Sequence, residues 1–148
     1  MKALLQRVSF ANVEVDGKKL AQIGVGLLVF LGVARGDEES EARSLAAKTA
    51  HLRIFPDQEG KMNRSLLEIG GEALVVSQFT LLARSQRGRR PDFLDAAPPE
   101  AANRLYESFL AALEGLGIHV QSGAFQARMK VGLTNDGPVT ILLDSREK

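Results

Sequence analysis

Residues 27–31 (Leu-Leu-Val-Phe-Leu) form a continuous apolar run that narrows the possible folds more than any other segment of the chain. The run has the length of a strand, and a strand without polar positions must be covered on both faces of its sheet. Gly24 and Gly26 precede the run and no helix follows it directly, so they are not a dinucleotide-binding fingerprint. We therefore expect residues 27–31 to be a central strand.

The dipeptide Asp16-Gly17 predicts a tight turn, because both residues tolerate the positive φ angles of a type I′ hairpin. This turn would join strands at residues 12–15 and 18–23. Further segments of apolar and β-branched residues also predict strands: 3–10, 53–55, 73–82, 118–122, 127–133 and 139–143. Strands are therefore expected to outnumber helices.

Apolar residues recur at helical spacing in two segments. The first helix is expected over residues 38–52, with Asp37 as its N-cap and glutamates in its first turn. The second is expected to begin at Pro99, and its apolar stripe stops at Gly115 and Gly117. These patterns predict a mixed α/β fold in one domain over residues 1–148, with a largely antiparallel layered sheet and two main helices packed on it.

Composition limits the chemistry. The 148 residues include no cysteine, which excludes disulfide scaffolds, thiol catalysis and cysteine-ligated metals. With Lys+Arg 19 and Asp+Glu 18 the net charge is +1, so binding to nucleic acid would require a local basic cluster. No apolar stretch has the length of a membrane span and the first residues do not resemble a signal peptide, so we expect a cytoplasmic protein without membrane partners.

The usual catalytic sets are mostly missing from the sequence. His51 and His119 are isolated, with no acidic residue at a spacing that would complete a metal site. There is also no phosphate-binding glycine loop and no nucleophile elbow. We therefore expect neither a metal nor a bound cofactor.

Two segments place small polar groups beside apolar strands. The first motif, residues 77–81 (Ser-Gln-Phe-Thr-Leu), continues the strand predicted at 73–82, and strand alternation would send Gln78 and Thr80 to one face. Its hydroxyl, amide and backbone N–H groups would suit a carbonyl or an oxyanion, and an ordinary strand end is the alternative. The second motif, residues 135–140 (Asn-Asp-Gly-Pro-Val-Thr), is typical of a hairpin turn, and its X-Pro bond permits a cis peptide at low cost.

In this order and separation, the two motifs resemble those of the D-aminoacyl-tRNA deacylase family, of the D-Tyr-tRNA deacylase type. The resemblance covers nearly the whole chain and includes the segments 4–8, 26–29, 53–55, 60–63 and 90–91. The sequence departs from the family pattern in residues 84–99, which are richer in Arg and Pro, and in the tail at residues 145–148.

The resemblance implies a homodimeric proofreading enzyme that hydrolyses the ester between a D-amino acid and tRNA. One subunit would contribute the catalytic residues Ser77, Gln78, Phe79 and Thr80. The other would contribute Gly137 and Pro138, joined by a cis bond, which would bind the substrate and reject L-amino acids sterically. Glycyl-tRNA would then also be cleaved, because glycine has no side chain to clash.

An aminoacyl ester is an activated acyl group, so a positioned water and preorganised N–H donors can suffice for its hydrolysis. The neighbouring ribose 2′-OH would orient or activate that water. Thr80 is the one protein nucleophile that the motif offers, but a Thr hydroxyl needs an adjacent base. We therefore expect Thr80 to bind the substrate and not to attack it.

Supporting roles follow from the same resemblance and from position in the chain. Phe125 and Met129 would pack on the terminal adenine, or else belong to the core. Arg7 would hold the loop of the second motif by hydrogen bonds, or else form a surface ion pair. Four arginines after the first motif would bind acceptor-stem phosphates, or else face solvent: Arg84, Arg87, Arg89 and Arg90.

Two other functions remain open on the sequence. A non-catalytic RNA-binding module would use the same fold and basic loop without releasing amino acid from tRNA. A hydrolase of small D-amino esters would act on a mononucleotide ester as well as on tRNA.

Overall fold

The strand β1 (Lys2–Val15) organises the sheet, because it pairs with three other strands in this computed structural model, which describes residues 1–86 and 88–147. It is antiparallel to β2 (Lys18–Ile23), β3 (Gly26–Gly32) and β8 (Lys130–Asp144). The turn into β2 has φ angles of 52° at Asp16 and 75° at Gly17, which confirms the predicted hairpin. The strands expected at 3–10 and 12–15 are one strand.

Two further strands extend the sheet beyond β3. β6 (Glu72–Ser77) is parallel to β3, and β7 (His119–Ser122) is parallel to β6, so the order is β2-β1-β3-β6-β7 with β8 beside β1. β3 therefore lies between β1 and β6, and every residue of it except Phe30 is buried. The expectation of a covered central strand and of a mixed sheet is confirmed.

Helices cover one face of the sheet. α1 (Glu39–His51) and α3 (Pro99–Gly115) match the two predicted helices, and Leu45 and Phe109 bring them onto the same buried core as Val29. The N-cap prediction is wrong: Glu38 caps α1, while Asp37 accepts from the N–H of Ala34 at 2.7 Å. None of the helices in the described ranges is long and apolar enough to cross a bilayer.

A short hairpin and a single helical turn join α1 to β6. β4 (Phe55–Pro56) and β5 (Met62–Arg64) form the hairpin, and α2 (Leu66–Ile69) follows. α2 was not expected from periodicity, because four residues are too few to show it. Its signal is local: Ser65 and Glu68 form a capping box, with the Ser65 hydroxyl accepting from the Glu68 N–H at 3.2 Å.

The opposite face of the sheet is covered by side chains from the sheet's own strands, which pack against one another. A second buried cluster joins Val8 and Val13 of β1 to Leu28 of β3 and Val76 of β6. The first half of β8 contributes Val131 and Leu133 to the edge of this cluster. Because both faces are covered, the open region of interest is the end of β6, where the chain leaves the sheet.

Candidate active site

A cavity of about 560 Å³ opens where β6 ends. This volume lies within the range of about 300–1,000 Å³ that small-molecule sites occupy. Its walls come from the first motif, the start of α3 and the segment between β7 and β8, and its residues are Leu31, Val33, Val76, Ser77, Gln78, Phe79, Ala96, Ala97, Pro99, Ala102, Phe125, Gln126, Ala127, Met129 and Val131. The cavity is therefore mostly apolar with a few polar groups from the first motif.

The first motif does not continue as a strand. β6 ends at Ser77, and a 3-10 helix (Phe79–Leu82) follows, so the predicted alternation of Gln78 and Thr80 on one strand face is wrong. Gly32 accommodates this turn, because an added Cβ there would lie 2.5 Å from Leu82 Cδ2. The missing side chain at Gly32 leaves the space into which the chain turns.

This turn separates the polar groups of the motif. Ser77, Gln78 and Phe79 line the cavity, and the Gln78 N–H donates to Leu31 O at 2.8 Å, which ties the motif to β3. The Gln78 side-chain amide donates to the Thr80 hydroxyl, which is exposed and does not line the cavity. The Phe79 ring is 56% exposed and contacts Phe93 edge-on, with 5.0 Å between ring centroids.

Phe125 and Met129 both line the cavity and both touch the core. The Phe125 ring lies 6.0 Å from the ring of Tyr106, whose hydroxyl donates to Val75 O at 2.8 Å. Burial raises the pKa of Tyr106 to about 12, so this anchor stays protonated at neutral pH. The Met129 sulfur lies over Gly123, where a Cβ would be 2.6 Å away.

The cavity has no ionisable side chain among its lining residues, all of which lie in the described ranges. The two histidines lie elsewhere. His51 is hydrogen-bonded to Ala47 O on α1, and His119 lies 3.6 Å from Glu72, at the end of β6 opposite to Ser77. Within residues 1–86 and 88–147 no group of three acidic or histidine side chains lies close enough to hold a metal. The lining residues of this chain therefore offer no charged side chain that could serve as a general acid or base.

The second motif is not a hairpin turn. The strands expected at 127–133 and 139–143 are parts of one strand, β8, which begins only at Lys130 and pairs with β1 on both sides of the motif. Val8 opposes Asn135 and Gln6 opposes Thr140, so residues 136–139 face a single β1 residue, Arg7, and form a bulge. Gly137 and Pro138 are exposed at this bulge, and the bond between them is cis.

Arg7 ties the bulge to the body of the protein. Its side chain is only 11% exposed; its Nε donates to Asp136 O at 3.1 Å, and Nη1 donates to Ile54 O at 2.7 Å. Nε also lies 3.4 Å from a carboxylate oxygen of Asp136. Arg7 is thus a buried cross-link between three segments and not a surface ion pair.

Asn135 holds the two sides of the bulge together by hydrogen bonds. Its side-chain amide donates to Arg7 O at 2.9 Å and to Val139 O at 3.0 Å, so one NH₂ group binds the backbone on both strands. The Thr140 hydroxyl reaches the Asn135 Oδ1 at 3.4 Å, and Gln6 Nε2 donates to the same hydroxyl at 3.2 Å. Hydrogen bonds from Arg7 and Asn135 therefore hold the backbone on both sides of the exposed Gly137-Pro138 segment.

The two motifs do not meet within one chain. Ser77 opposes Leu31, and Leu31 opposes Ala3, whereas the bulge faces Arg7. The bulge is thus four residues along the strands and three strand spacings across the sheet from Ser77, about 13 Å and about 14 Å. The direct separation is about 19 Å, and neither Gly137 nor Pro138 lines the cavity.

The arginines after the first motif lie in different environments. Arg84 is paired through two nitrogens with the Asp95 carboxylate, which raises the pKa of Arg84. Arg89 and Arg90 are exposed. Arg87 lies outside the described residues.

Sequence reasoning missed Gln126 as a cavity residue. It has a φ of 62°, a left-handed conformation that is uncommon for residues other than glycine, in the turn between β7 and β8. No local signal marks it, because glutamine is not a typical residue for such a turn. Asn135 was part of the second motif, but its bracing role follows only from the β1 to β8 register.

Known proteins match the chain from end to end. The D-Tyr-tRNA(Tyr) deacylase family model matches residues 4–144. A D-aminoacyl-tRNA deacylase of Roseiflexus castenholzii (strain DSM 13941 / HLO8) is 63% identical over 145 residues, 98% of this chain and 92% of that protein. A D-aminoacyl-tRNA deacylase of Thermomicrobium roseum (strain ATCC 27502 / DSM 5159 / P-2) is 57% identical over 147 residues, 99% of this chain and 96% of that protein.

A solved structure agrees with these matches. It is that of the c-Myc DNA Unwinding Element Binding Protein, which is 40% identical, has a TM-score of 0.93 and is covered over its full length by 99% of this chain. The family match includes β1, both motifs and all but a few terminal residues. The chain therefore belongs to the D-Tyr-tRNA(Tyr) deacylase family.

Proposed function

We propose that the protein hydrolyses the ester bond of D-aminoacyl-tRNA and releases the free D-amino acid and tRNA in the cytoplasm. The observation that carries this proposal is the cavity at the end of β6, in which a family motif meets an apolar surface and no ionisable group. Such a site suits an ester that is already activated. It does not suit a reaction that needs a strong protein acid or base.

The residues of the cavity divide between the two parts of the substrate end. Phe125 and Met129 offer a flat apolar surface for the terminal adenine. Ser77 and Gln78 bring a hydroxyl and an amide to the same cavity, and the ester carbonyl would lie beside them. In this scheme the cavity of about 560 Å³ holds the reactive carbonyl and the nucleobase together.

The hydrolysis needs one water. The water oxygen adds to the ester carbonyl carbon, the bond from that carbon to the ribose 3′ oxygen breaks, and the 3′ oxygen takes a proton. No lining side chain is ionisable, so the ribose 2′-OH of the substrate is the group that can pass on a proton during the reaction. The protein contributes position and hydrogen-bond donors from Ser77, Gln78 and the backbone of Phe79.

Thr80 acts as a binding and orienting group in this scheme. Its hydroxyl accepts from the Gln78 amide, which fixes that amide beside the cavity, and no histidine or carboxylate lines the cavity to activate it as a nucleophile. We expect Thr80→Ala to retain measurable turnover at a reduced rate. Near-complete loss of turnover in folded Thr80→Ala, together with an acyl-enzyme trapped in the parent protein, would contradict this role.

The active site is shared between two copies of the chain. Gly137 and Pro138 do not line the cavity of their own chain, so in this scheme they reach the substrate across an interface between two copies. On β8, Leu142 is 52% exposed and offers an apolar side chain that a second copy can cover. A homodimer with two shared sites follows.

Chirality is selected by exclusion at the Gly137-Pro138 bulge. Neither residue has a side-chain donor, so the bulge offers backbone carbonyls that can accept from the α-ammonium group. With carbonyl and ammonium both held, the side chain of an L-residue points at backbone that Arg7 and Asn135 brace, whereas that of a D-residue points away. Glycyl-tRNA lacks a side chain and is therefore cleaved too.

The test is to incubate the protein with one tRNA charged in parallel with a D-amino acid, its L-enantiomer and glycine, and to follow loss of the ester. We expect cleavage of the D-form and glycyl-tRNA, with the L-form spared. If no ester is cleaved while the tRNA still binds, the non-catalytic RNA-binding alternative is correct. Equal turnover of a D-aminoacyl-adenosine and the D-aminoacyl-tRNA would instead favour the small-ester hydrolase.

Contacts with the rest of tRNA are assigned to the exposed arginines. Arg89 and Arg90 would bind acceptor-stem phosphates, because they follow the first motif closely and are exposed. Arg84 would have to exchange its Asp95 partner for a phosphate, so its contribution should be smaller.

A further inference from the structure

The second motif contains an asparagine whose side chain does more than fill a turn. Asn135 is half-buried, and its amide binds the carbonyl oxygens of Arg7 and Val139 at 2.9 and 3.0 Å. Val139 is the last residue of the bulge and Arg7 lies opposite it, so these two bonds tie the residue before the bulge to its last residue and to β1. Two Asn N–H donors are used in full by this arrangement.

The orientation of this amide is set by neighbouring side chains. An asparagine side chain can be turned over, which would bring its oxygen against the two carbonyls. The Thr140 hydroxyl prevents this, because it donates to Asn135 Oδ1 at 3.4 Å and in turn accepts from Gln6 Nε2 at 3.2 Å. Gln6, Thr140 and Asn135 therefore form a chain of donors that ends at the base of the bulge.

We infer that Asn135, oriented by Thr140 and Gln6, is a positioning residue that sets discrimination between D- and L-aminoacyl esters. This inference rests on the proposed function. Exclusion of an L side chain works only if the backbone at Gly137-Pro138 cannot move aside. Arg7 holds the outer side of the bulge at Asp136 O, and Asn135 holds the return at Val139 O, so loss of either leaves one end free.

The expected phenotype separates positioning from general stability. In Asn135→Ala the bulge gains freedom, so kcat/KM for the D-ester falls while that for the L-ester rises relative to it. We expect the D/L ratio of kcat/KM to fall by about tenfold or more, with KM for tRNA little changed. A merely structural role would lower the melting temperature and reduce both activities together, leaving the ratio unchanged.

The experiment compares four proteins with one tRNA charged with the D-, L- or glycyl group: the parent, Asn135→Ala, Asn135→Asp and Asn63→Ala. Asn135→Asp keeps the shape but turns a donor into a carboxylate facing two carbonyls, so its ratio should fall at least as far. Asn63→Ala is the matched control, since the Asn63 amide bonds only the exposed Asp57 carboxylate, at 2.8 Å. Its ratio should equal that of the parent.

A ratio in Asn135→Ala equal to that of the parent would overturn the inference. A parent protein that cleaves no D-aminoacyl-tRNA would instead overturn the proposed function, so the two failures are distinct. If the Asn135 variants do not fold, Thr140→Val and Thr140→Ser test the inference in their place. The serine variant keeps the hydroxyl and should keep the parent D/L ratio of kcat/KM, whereas the valine variant loses the hydroxyl and its ratio should fall. Equal ratios in these two variants and the parent would also overturn it.

Discussion

Replacing Gly32 with alanine should impair catalysis more than stability, because this residue supports the turn that forms the first motif. An alanine Cβ at position 32 would lie 2.5 Å from Leu82 Cδ2, 3.0 Å from Gln78 O and 3.1 Å from Leu81 Cβ. The Leu82 methyl can rotate away, but a backbone oxygen cannot. With the Leu82 methyl moved aside, the 3-10 helix must still retreat by about 0.5 Å to relieve the contacts at 3.0 and 3.1 Å.

This shift fixes the size of the effect. Overpacking of this kind costs about 1–3 kcal/mol, which a domain with a stability of about 5–15 kcal/mol survives. Displacement of catalytic groups by about 1 Å can lower the rate by about 100-fold, so a shift of about half that size should lower kcat/KM on D-aminoacyl-tRNA by about 10-fold. The D-ester assay and thermal unfolding of the same preparations measure both quantities.

Gly115→Ala is the matched control. It lies at the end of α3 with no heavy atom within 4 Å of an added Cβ, so activity should be unchanged and stability equal or slightly higher. If Gly32→Ala loses stability but keeps kcat/KM within about threefold of the parent, the claim that the turn at Gly32 positions the catalytic groups is refuted.

Three further outcomes are expected. The sole tyrosine, Tyr106, should form phenolate with a midpoint near pH 12 in ultraviolet absorbance, because burial raises its pKa. Since the pKa is higher in the folded state, the free energy of unfolding should fall by on the order of 3 kcal/mol as pH rises from about 10 to above about 12, and Tyr106→Phe should remove this pH dependence. A native midpoint near 10 would contradict the burial argument. The double variant Arg89→Ala/Arg90→Ala should show a weaker salt dependence of KM for tRNA than Arg84→Ala does. An unchanged salt dependence in the double variant would show that neither arginine binds tRNA phosphates. Sedimentation should give roughly twice 16.0 kDa, and a fully active monomer would be incompatible with a shared site.

The parts of the fold that follow from local pattern were predictable from the sequence. The covered strand β3, the Asp16-Gly17 hairpin and the helices α1 and α3 each have their signal within the segment itself. The Asp37 cap was wrong because three acidic residues in a row, Asp37, Glu38 and Glu39, leave the start of the helix ambiguous. Asp37 instead contacts the Ala34 N–H three residues earlier and the Met1 amino group, and only the second of these contacts is long-range.

The end of β6 could not be predicted because its cause lies about 45 residues away along the chain. Residues 79–82 have the apolar and β-branched composition of a strand, and only the absence of a side chain at Gly32 lets them turn. Cavity residues were easier to predict where the type of side chain itself suggests a binding role. Phe125 and Met129 were expected, whereas Gln126 carries no such mark.

The second motif shows the same limit in another form. Asn-Asp-Gly-Pro favours a local change of direction, but turn chemistry is the same in a hairpin and in a bulge. The outcome depends on β1, which is long enough to pair with β8 on both sides of the motif. The bracing by Asn135 and Arg7 then follows from a register that no local pattern contains.

The central claim, that the two motifs act together from different subunits, is tested by complementation between two defective variants. Gln78→Ala removes a cavity group, and Gly137→Ala places a Cβ 2.8 Å from Arg7 Nη2 at a φ of 124°. A mixed dimer of these variants has one site with both motifs intact. Each variant alone should be nearly inactive, and a 1:1 mixture refolded together should recover about a quarter of the parent activity. A mixture no more active than the average of its components would contradict the shared site.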